Sequence, residues 1–332
     1  MKILQYAGIY KKKASGLSFS IPNLVKGLDK RNVTVNIYNL AATDNEFDQN
    51  DYDIIVLNSF FILKYFVVLL KVKPNQKIII CPRGAFSKSN RYDLKKKIYS
   101  YVYFSILKLK RVNYKIHFLT NNEMLKSRFR TNNDFVVGNS IEVNSKIQIS
   151  DEVIKNRFQN KEIVYIGRFS NHIKGLDLLF DFLIKNKEVL EQNKICFKFY
   201  GPKSEDKLKL KSIAVKNDLR NVFFYDEIYG EDKSKVLESA YFHVLNSRSE
   251  GYPMSVLEST LYSVPQILSV GTNLTDDLVK HAFGFIADGK LIKRLIDLDL
   301  FTYQSLCLNA REYAALHEIE IIGAKTLINY KK

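Results

Sequence analysis

The chain alternates short apolar runs with longer stretches whose apolar residues recur at helical spacing. Each apolar run is four to six residues long, the length of a buried strand. Strands that alternate with helices favour parallel sheets in an α/β fold. The predicted strands are residues 2–7, 33–38, 53–58, 77–81 and 116–120 in the first half, and 162–167, 195–200, 222–225, 242–245 and 266–270 in the second.

A polar interval divides this pattern in two. Residues 143–160 are charged and lack a strong period, which predicts a linker and the entry to a second domain. We therefore predict one domain at residues 1–143, a second at 144–310, and a terminal segment at 311–332.

Two helical patterns carry specific expectations. One runs from about Ser18 to Lys30 and places Pro22 in its first turn, where a helix tolerates proline. The other runs from Leu308 to Tyr330 at the end of the chain.

The most informative stretch is residues 247–269, SRSEGYPMSVLESTLYSVPQILS, which lies between two predicted buried strands. Its turn contains Glu250, and its helical pattern begins at Pro253 and carries Glu258. The free N–H groups at a helix start bind phosphate. Carboxylates accept hydrogen bonds from vicinal hydroxyls, so the two acids fit a sugar and a ribose beside that phosphate. The alternative is an acidic loop and a solvated helix glutamate.

Two cations follow the predicted strand at residues 162–167. Arg168 comes directly after it, and Lys174 precedes Gly175 and an apolar helix. Ligands of open α/β sheets bind at this carboxyl edge. The arginine fork and the lysine point charge suit phosphate oxygens. If the ligand is a nucleoside diphosphate that departs in a reaction, the two cations can neutralise the charge that builds up on it, a role that a metal otherwise fills. Two surface cations are the alternative.

These motifs resemble those of glycosyltransferase family 4, a family of retaining GT-B glycosyltransferases. The run Glu250-Gly-Tyr-Pro-Met-Ser-Val-Leu-Glu258 resembles the Glu-x7-Glu signature, and Gly167-Arg168 with Lys174-Gly175 resembles the donor-phosphate motif. The resemblance implies an α/β GT-B fold, in which two Rossmann-like domains face a cleft and a C-terminal helix crosses back to the first domain. It also implies retaining, metal-independent transfer from a nucleotide-diphosphate sugar, without a cofactor.

The resemblance further implies a set of site residues and no metal ligand. The implied catalytic residues are Glu250, Arg168 and Lys174. Gly16, in the loop after the first strand, borders the donor in the family, although an ordinary turn glycine is the alternative. The implied donor-binding residues are Arg168, Lys174, Glu250, Gly251, Tyr252, Pro253, Met254, Ser255, Glu258 and Gly16.

The first domain carries a second resemblance. Pro82-Arg83-Gly84-Ala85-Phe86-Ser87 resembles a Pro-Arg-Gly segment of the polysaccharide-synthesis branch of family 4, which implies that Arg83 contacts an anion or the acceptor. A surface arginine is the alternative. Many relatives place a histidine near this strand end, close to the transferred sugar. This chain has Arg83-Gly84 there instead, so the role of that histidine does not transfer to it. Residues 135–142 resemble the segment that closes the first domain, with Asn139 and Glu142 at matching places and Gly138 where the family has proline.

Composition fits two folded domains in a reducing compartment. The chain has 332 residues, of which 46% are hydrophobic, and its three cysteines show no metal or disulfide spacing. We see no signal peptide, and the longest apolar run, Phe60 to Leu70, is too short to span a bilayer. A cytoplasmic location is expected.

Positive charge is concentrated in the first half of the chain. The net charge is +16, of which +15 falls in residues 1–150, and residues 88–130 hold 12 basic residues against Asp93 and Glu123. Basic residues interleaved with aromatic ones suit an anionic membrane surface, so a peripheral position at the inner face of the membrane is expected. A solvated basic face is the alternative; nucleic acid is not expected, because no binding motif accompanies the charge. The aromatic residues of this segment are Tyr92, Tyr99, Tyr101, Tyr103, Phe104, Tyr114, Phe118 and Phe129.

The expected activity is transfer of a sugar to a lipid-linked or oligosaccharide acceptor, in capsule, exopolysaccharide or lipopolysaccharide synthesis. One alternative is a non-catalytic GT-B-like partner subunit or sugar-binding module. Another is a GT-B sugar-nucleotide epimerase, which needs no acceptor and gains nothing from a basic first domain.

Overall fold

A computed structural model describes residues 1–8, 16–42, 47–88, 91–145 and 147–332, which form two compact units. Unit 1 consists of Met1–Glu142 together with His317–Lys332, and unit 2 is Val143–Leu316. The predicted terminal segment began at residue 311, whereas the return to unit 1 begins at His317.

Unit 1 is built on a six-stranded parallel sheet in the order β2-β1-β3-β4-β5-β6. The strands are β1 (Lys2–Ala7), β2 (Thr34–Asn39), β3 (Ile54–Asn58), β4 (Lys77–Cys81), β5 (Asn113–Phe118) and β6 (Phe135–Val136). The α-helices that accompany it among the described residues of the first part of the chain are α1 (Gly16–Asp29), α2 (Lys64–Lys71), α3 (Leu94–Leu109) and α4 (Asn121–Leu125).

Both faces of this sheet are covered, because successive strand residues point to opposite sides. Leu4 and Leu57 pack with α2 and α3 on one face. Ile3 and Val56, their neighbours in the strands, pack with α1 on the other face. Residues 54–58 of β3 are all buried, which is why they read as a continuous apolar run in the sequence.

The first helix begins earlier than the sequence predicts. Since α1 starts at Gly16, Pro22 is its seventh residue and lies beyond the first turn. The predicted placement of this proline is therefore wrong. A proline at this position has no N–H to donate, so α1 forms with one fewer bond of the usual helical ladder.

The aromatic residues of the basic segment form core rather than surface. Tyr103 and Phe118 are fully buried, and Tyr99, Phe104 and Phe129 pack against the same core. Of the eight rings between residues 88 and 130, all within the described ranges, Tyr101 alone is exposed. The expectation that these rings interleave with the cations at a membrane surface does not hold for most of them. Six belong to the core on the face of the sheet that α2 and α3 cover, or pack against it: Tyr99, Tyr103, Phe104, Tyr114, Phe118 and Phe129.

Unit 2 is built on a second six-stranded parallel sheet, in the order β12-β11-β10-β7-β8-β9. The strands are β7 (Glu162–Ile166), β8 (Cys196–Tyr200), β9 (Val222–Tyr225), β10 (Phe242–Leu245), β11 (Gln266–Leu268) and β12 (Gly284–Ile286). The helices are α5 (Asp151–Asn160), α6 (Asn171–Lys174), α7 (Leu176–Lys185), α8 (Lys187–Gln192), α9 (Glu205–Lys216), α10 (Gly230–Ser239), α11 (Met254–Leu261), α12 (Thr275–Lys280), α13 (Leu291–Ile296) and α14 (Leu300–Ala315).

The predicted linker contains a helix. Ser150 caps α5, its hydroxyl oxygen accepting a hydrogen bond from the Val153 N–H at 3.3 Å. Arg157 of α5 is almost wholly buried and donates to the carbonyl oxygens of Leu237, Glu238 and Ser263. This helix was not predicted from the sequence, because an inward-facing arginine interrupts the helical spacing of its apolar residues.

The final segment is two helices rather than one. α14 belongs to unit 2, and α15 (Ile319–Lys331) belongs to unit 1, where it packs against α1. An added Cβ at Gly27 of α1 would overlap the Ile319 carbonyl, and one at Gly323 of α15 would overlap the Gly27 carbonyl. The two glycines therefore allow the helix backbones to touch. The predicted return of the C-terminal helix to the first domain is confirmed.

None of the helices in the described part of the chain is both long and apolar enough to cross a membrane.

Candidate functional site

The candidate site lies where the strand order of unit 2 reverses. β7 and β10 are neighbours in the sheet, although five helices and two strands separate them along the chain. The connections leaving such a pair diverge, which opens a crevice outside their carboxyl ends where ligands bind. The loop after β7 carries Arg168, and the loop after β10 carries Glu250.

The loop after β7 is held against the end of β10 by a glycine. Lys174 ends α6, and Gly175 follows with φ of 58°, a conformation that favours glycine. An added Cβ at Gly175 would overlap the Asn246 carbonyl oxygen, and the Asn246 side-chain amide donates to the Gly175 carbonyl at 3.0 Å. This close approach places Lys174 beside the loop that carries Glu250.

Lys174 and Glu250 form an ion pair. The lysine Nζ lies 2.6 Å from Glu250 Oε1, and the Ser247 hydroxyl donates to the same oxygen at 2.7 Å. Only 18% and 16% of the two side chains are exposed, so each charge depends on its partner more than a surface pair does. The ammonium group has three donors, so two remain for a ligand after one is used on Glu250.

The backbone of Glu250 is fixed as well. Its N–H donates to the Gly271 carbonyl at 3.0 Å, and its carbonyl accepts from the side-chain amide of Asn273 at 2.6 Å. The turn after β10 is thus tied to the turn that follows β11. The carboxylate is therefore held in place before any ligand arrives.

Glu258 also has a lysine partner, which sequence reasoning missed. Its Oε2 lies 2.6 Å from Nζ of Lys233 in α10, and about a fifth of each side chain is exposed. The stretch that contains Lys233 is charged throughout, so no spacing distinguishes this lysine from its neighbours. Only the folded chain shows that α10 brings it to Glu258.

Arg168 supplies a cation that forms no ion pair within the described part of the chain. Its side chain is exposed, and among the described residues its guanidinium has no hydrogen-bond or ion-pair partner. Its carbonyl accepts a 2.6 Å bond from the Tyr165 hydroxyl, which fixes the loop; burial raises the pKa of Tyr165, so this hydroxyl keeps its proton. Within the described ranges, no group of three or more His, Cys, Asp or Glu residues is placed to hold a metal ion.

The helix that follows Glu250 starts one residue later than predicted. Pro253 is the cap, and α11 begins at Met254. The side chains of Tyr252, Pro253 and Met254 are buried, so of these predicted donor-binding residues the backbone alone remains for a ligand. Gly251 and Ser255 are half-buried.

A buried pair of phenols anchors this turn to the rest of unit 2. The Tyr252 hydroxyl lies 2.8 Å from that of Tyr313 in α14, which donates to Asp277 Oδ2 at 3.2 Å. Burial raises the pKa values of both tyrosines, so both stay protonated. The Tyr252 side chain therefore holds the turn in position.

In unit 1, Arg83 lies at the carboxyl end of β4 in a strained conformation. Its φ of 50° is left-handed, which costs a non-glycine residue about 1–2 kcal/mol. Its Nε donates to Asn58 Oδ1 at 2.9 Å, and its Nη1 donates at 3.2 Å to the Ser20 hydroxyl and to Asn139 Oδ1. The guanidinium is thus oriented by three side chains, whereas a solvated surface arginine would not be.

The predicted loop glycine, Gly16, lies at the start of the first helix. Gly16 is exposed and is the first residue of α1 in unit 1. Residues 9–15 of the same loop lie outside the described residues.

A buried carboxyl group joins the loops after β4 and β5. Glu123 is 2% exposed; one carboxyl oxygen accepts from the Gly84 N–H at 2.5 Å, and the other from the Leu119 N–H at 2.7 Å. Burial raises the pKa of this carboxyl to about 7, against the effect of these hydrogen bonds and of Arg83, which lower it. Glu123 thereby fixes the residue next to Arg83.

This carboxyl predicts a pH-dependent contribution to stability. Its pKa of about 7 exceeds the ordinary 4.5, so the folded chain holds an extra proton between these values. The contribution of this carboxyl to the free energy of unfolding has its full value below pH 4.5. It is lost as the pH rises through 7, and the loss is about 3 kcal/mol for a shift of this size. Burial lowers the pKa values of His117 and His243 to about 4, which acts in the opposite direction in the same range.

Comparison with Glu123→Gln isolates the glutamate, because both proteins contain the histidines. We expect the free energy of unfolding of the wild type, relative to the variant, to fall between pH 5 and pH 8 in urea titrations. Parallel curves for the two proteins would show that Glu123 is ionised throughout.

Residues 147–314, just over half of the chain, match the family model described as glycosyl transferases group 1. No curated protein is significantly similar in sequence.

Several solved structures are similar to the whole chain. HepE of Anabaena, in complex with UDP and glucose, is 14% identical, with a TM-score of 0.71 over 100% of this chain and 99% of that one. Sucrose-phosphate synthase from Thermosynechococcus elongatus is 14% identical, with a TM-score of 0.74 over 99% and 98%. WaaG, described as a glycosyltransferase involved in lipopolysaccharide biosynthesis, is 13% identical, with a TM-score of 0.65 over 98% of each. At these identities the likeness concerns the fold, and the predicted GT-B fold is confirmed.

Proposed function

Because the chain belongs to the group 1 glycosyl transferases, we propose that it transfers a sugar from a nucleoside diphosphate to an acceptor, with retention at the anomeric carbon and without a metal ion. Within these enzymes we assign it to glycosyltransferase family 4. The observation that carries the proposal is the switch point of unit 2. Three features lie just after the ends of neighbouring strands there: the Lys174–Glu250 ion pair, the exposed guanidinium of Arg168 and the start of α11.

The two acids keep oxygen atoms for the donor. In Glu250 both side-chain bonds use Oε1, and we assign Oε2 to a hydroxyl of the transferred sugar. In Glu258 the lysine uses Oε2, and we assign Oε1 to a ribose hydroxyl. HepE, which has this fold, has been solved with UDP and glucose and with UDP-glucose, which supports a donor of this class.

The cations serve the departing group. During transfer the bond between the anomeric carbon and the phosphate oxygen breaks, and the diphosphate leaves with the electron pair. The same carbon bonds to the acceptor oxygen, whose proton is released. Arg168, Lys174 and the first N–H groups of α11 stabilise the negative charge that grows on the diphosphate. Positive charge supplied by the chain itself supports the metal-independent assignment.

The acceptor is assigned to the lipid-linked or oligosaccharide class, in capsule, exopolysaccharide or lipopolysaccharide synthesis. The description of WaaG, which acts in lipopolysaccharide biosynthesis, supports this class. Arg83, oriented by three side chains in unit 1, is the residue we assign to an anion or acceptor. The charge of +15 in the first 150 residues supports a peripheral position at the inner face of an anionic membrane. We propose no role in nucleic-acid binding, because no binding motif accompanies this charge.

Ligand-induced thermal stabilisation tests the donor site. With EDTA present, we expect one of UDP, GDP or ADP, at 100 times its Kd, to raise Tm by on the order of 5 °C, and its monophosphate to have a much smaller effect. We also expect the matching nucleotide sugar to be turned over in EDTA, with a product of unchanged anomeric configuration by NMR. Failure of every diphosphate to bind would favour the non-catalytic partner, and loss of turnover in EDTA would contradict metal independence.

A further inference from the structure

Helix α3 exposes apolar side chains on the face opposite to the one it buries. Ser100, Tyr103 and Leu107 are buried and share one face. Because successive helix residues are rotated by about 100°, the exposed apolar residues fall within an arc of about 100° centred on the opposite face. They are Leu94, Ile98, Tyr101, Val102 and Leu109, of which Leu109 is 82% exposed. The core does not account for this stripe.

Lysines border the stripe on both sides. On the same helical projection, Lys97 and Lys108 lie along one edge and Lys95 along the other. An apolar face flanked by cations is the arrangement of helices that lie in a membrane interface.

Helix α2 repeats this arrangement. Leu63, which caps it, and Val67 and Leu70 are exposed on one side, and Leu63 is 78% exposed. Lys64 and Lys71 lie along one edge of these apolar residues. The opposite side carries the buried residues Tyr65, Val68 and Leu69.

The two helices are fastened together. The Tyr99 hydroxyl of α3 donates to the carbonyls of Phe60 and Ile62, just before α2, at 2.9 and 2.8 Å. Lys110, which follows α3, donates to the last turn of α2, at the Leu69 and Leu70 carbonyls. A groove of about 440 Å³ runs between them, and its apolar lining is Phe61, Leu63, Phe66, Ile98, Tyr99 and Val102.

The positive charge of the surface formed by α2 and α3 indicates what kind of partner it binds. α2 and α3 contain six lysines and no aspartate or glutamate. A second copy of the chain would bring six lysines against six, whereas lipid phosphates would complement them. We propose that α2 and α3 form a bilayer-insertion surface, whose apolar stripes enter the boundary between headgroups and acyl chains of an anionic membrane while the lysines bind the lipid phosphates. This surface deepens the peripheral location proposed above and rests on it.

Vesicle co-sedimentation of the full chain, without donor, tests this surface. Wild type should bind phosphatidylcholine vesicles that contain about 30% phosphatidylglycerol, and should keep part of that binding in about 0.5 M salt, where charge alone is screened. The Leu63→Gln/Leu70→Gln/Ile98→Gln variant should bind at least about tenfold more weakly. Its control is Leu208→Gln/Val215→Gln/Phe301→Gln, which changes three similarly exposed apolar residues of unit 2 and should bind as wild type.

A second variant separates charge from insertion. Lys95→Gln/Lys97→Gln/Lys108→Gln should weaken binding to the anionic vesicles and abolish their advantage over pure phosphatidylcholine. Equal binding by the apolar variant and wild type, or no wild-type binding, would overturn the surface. So would a wild-type dimer in sedimentation velocity that the apolar substitutions dissociate, since a second copy would then cover the face. Nucleoside-diphosphate binding by the same variants, measured in parallel, reports on the catalytic proposal separately.

Discussion

Replacement of Lys174 by alanine is expected to lower kcat for sugar transfer by about 10²- to 10³-fold, the usual loss when one preorganised donor is removed from a developing charge. The variant loses a cation from the departing diphosphate. It also leaves the Glu250 carboxylate, 16% exposed, without the ammonium group that now lies 2.6 Å away. Initial rates of nucleoside-diphosphate release over a range of donor concentrations give kcat and KM separately.

The matched control is Lys198→Ala. Lys198 of β8 pairs with Glu162 at 2.5 Å, and its side chain is 23% exposed, so it resembles Lys174 in all but position. We expect this control to change kcat by less than about twofold, since it leaves the switch point intact. If Lys198→Ala lowered kcat as much as Lys174→Ala does, the loss of activity would reflect a weakened unit 2. Lys174 would then have no role in the reaction.

Replacement of Gly323 by valine is expected to destabilise unit 1 by about 3 kcal/mol or more. The new side chain would overlap the backbone of Gly27, so α15 could not lie against α1. Undocking α15 would expose Ile322, Leu327 and Tyr330, which complete the core on that face of the sheet. Urea unfolding and the rate of proteolysis near residue 317 would report the change.

Gly289→Ala is the control for this substitution. An added methyl group there meets no atom within 4 Å, so we expect a change of less than about 0.5 kcal/mol. Unchanged urea midpoints for Gly323→Val would show that the two helices separate easily and that the glycine contact is dispensable.

Most of the strands were predictable from the sequence, although the short strands β6 and β12 were missed. Runs such as residues 54–58 and 77–81 are buried on both sides in a parallel sheet, so their apolar character is visible without knowledge of the partner. The turn with Glu250 and the helix with Glu258 were visible for the same reason, since two buried strands enclose them. The roles assigned to these acids stay predictions.

Features that depend on packing between distant segments could not be predicted from the sequence. Lys233 becomes a partner of Glu258 only because α10 lies beside α11. Arg157 of α5 and Glu123 look solvated by residue type, yet both are buried with backbone partners. The tyrosines of α3 gave a misleading pattern, because aromatic residues suit a core and a membrane interface equally well.

Unit 1 is interrupted along the chain by the whole of unit 2, and this ordering affects its biosynthesis. While a ribosome is still elongating residues 143–316, the sheet of unit 1 is already outside, and the apolar patch that Ile322 and Tyr330 later cover is still bare. Nascent chains grow at about 5–20 residues per second, so the patch stays uncovered for about 10–40 seconds. During that interval a holdase chaperone has a docking place that the finished protein no longer offers.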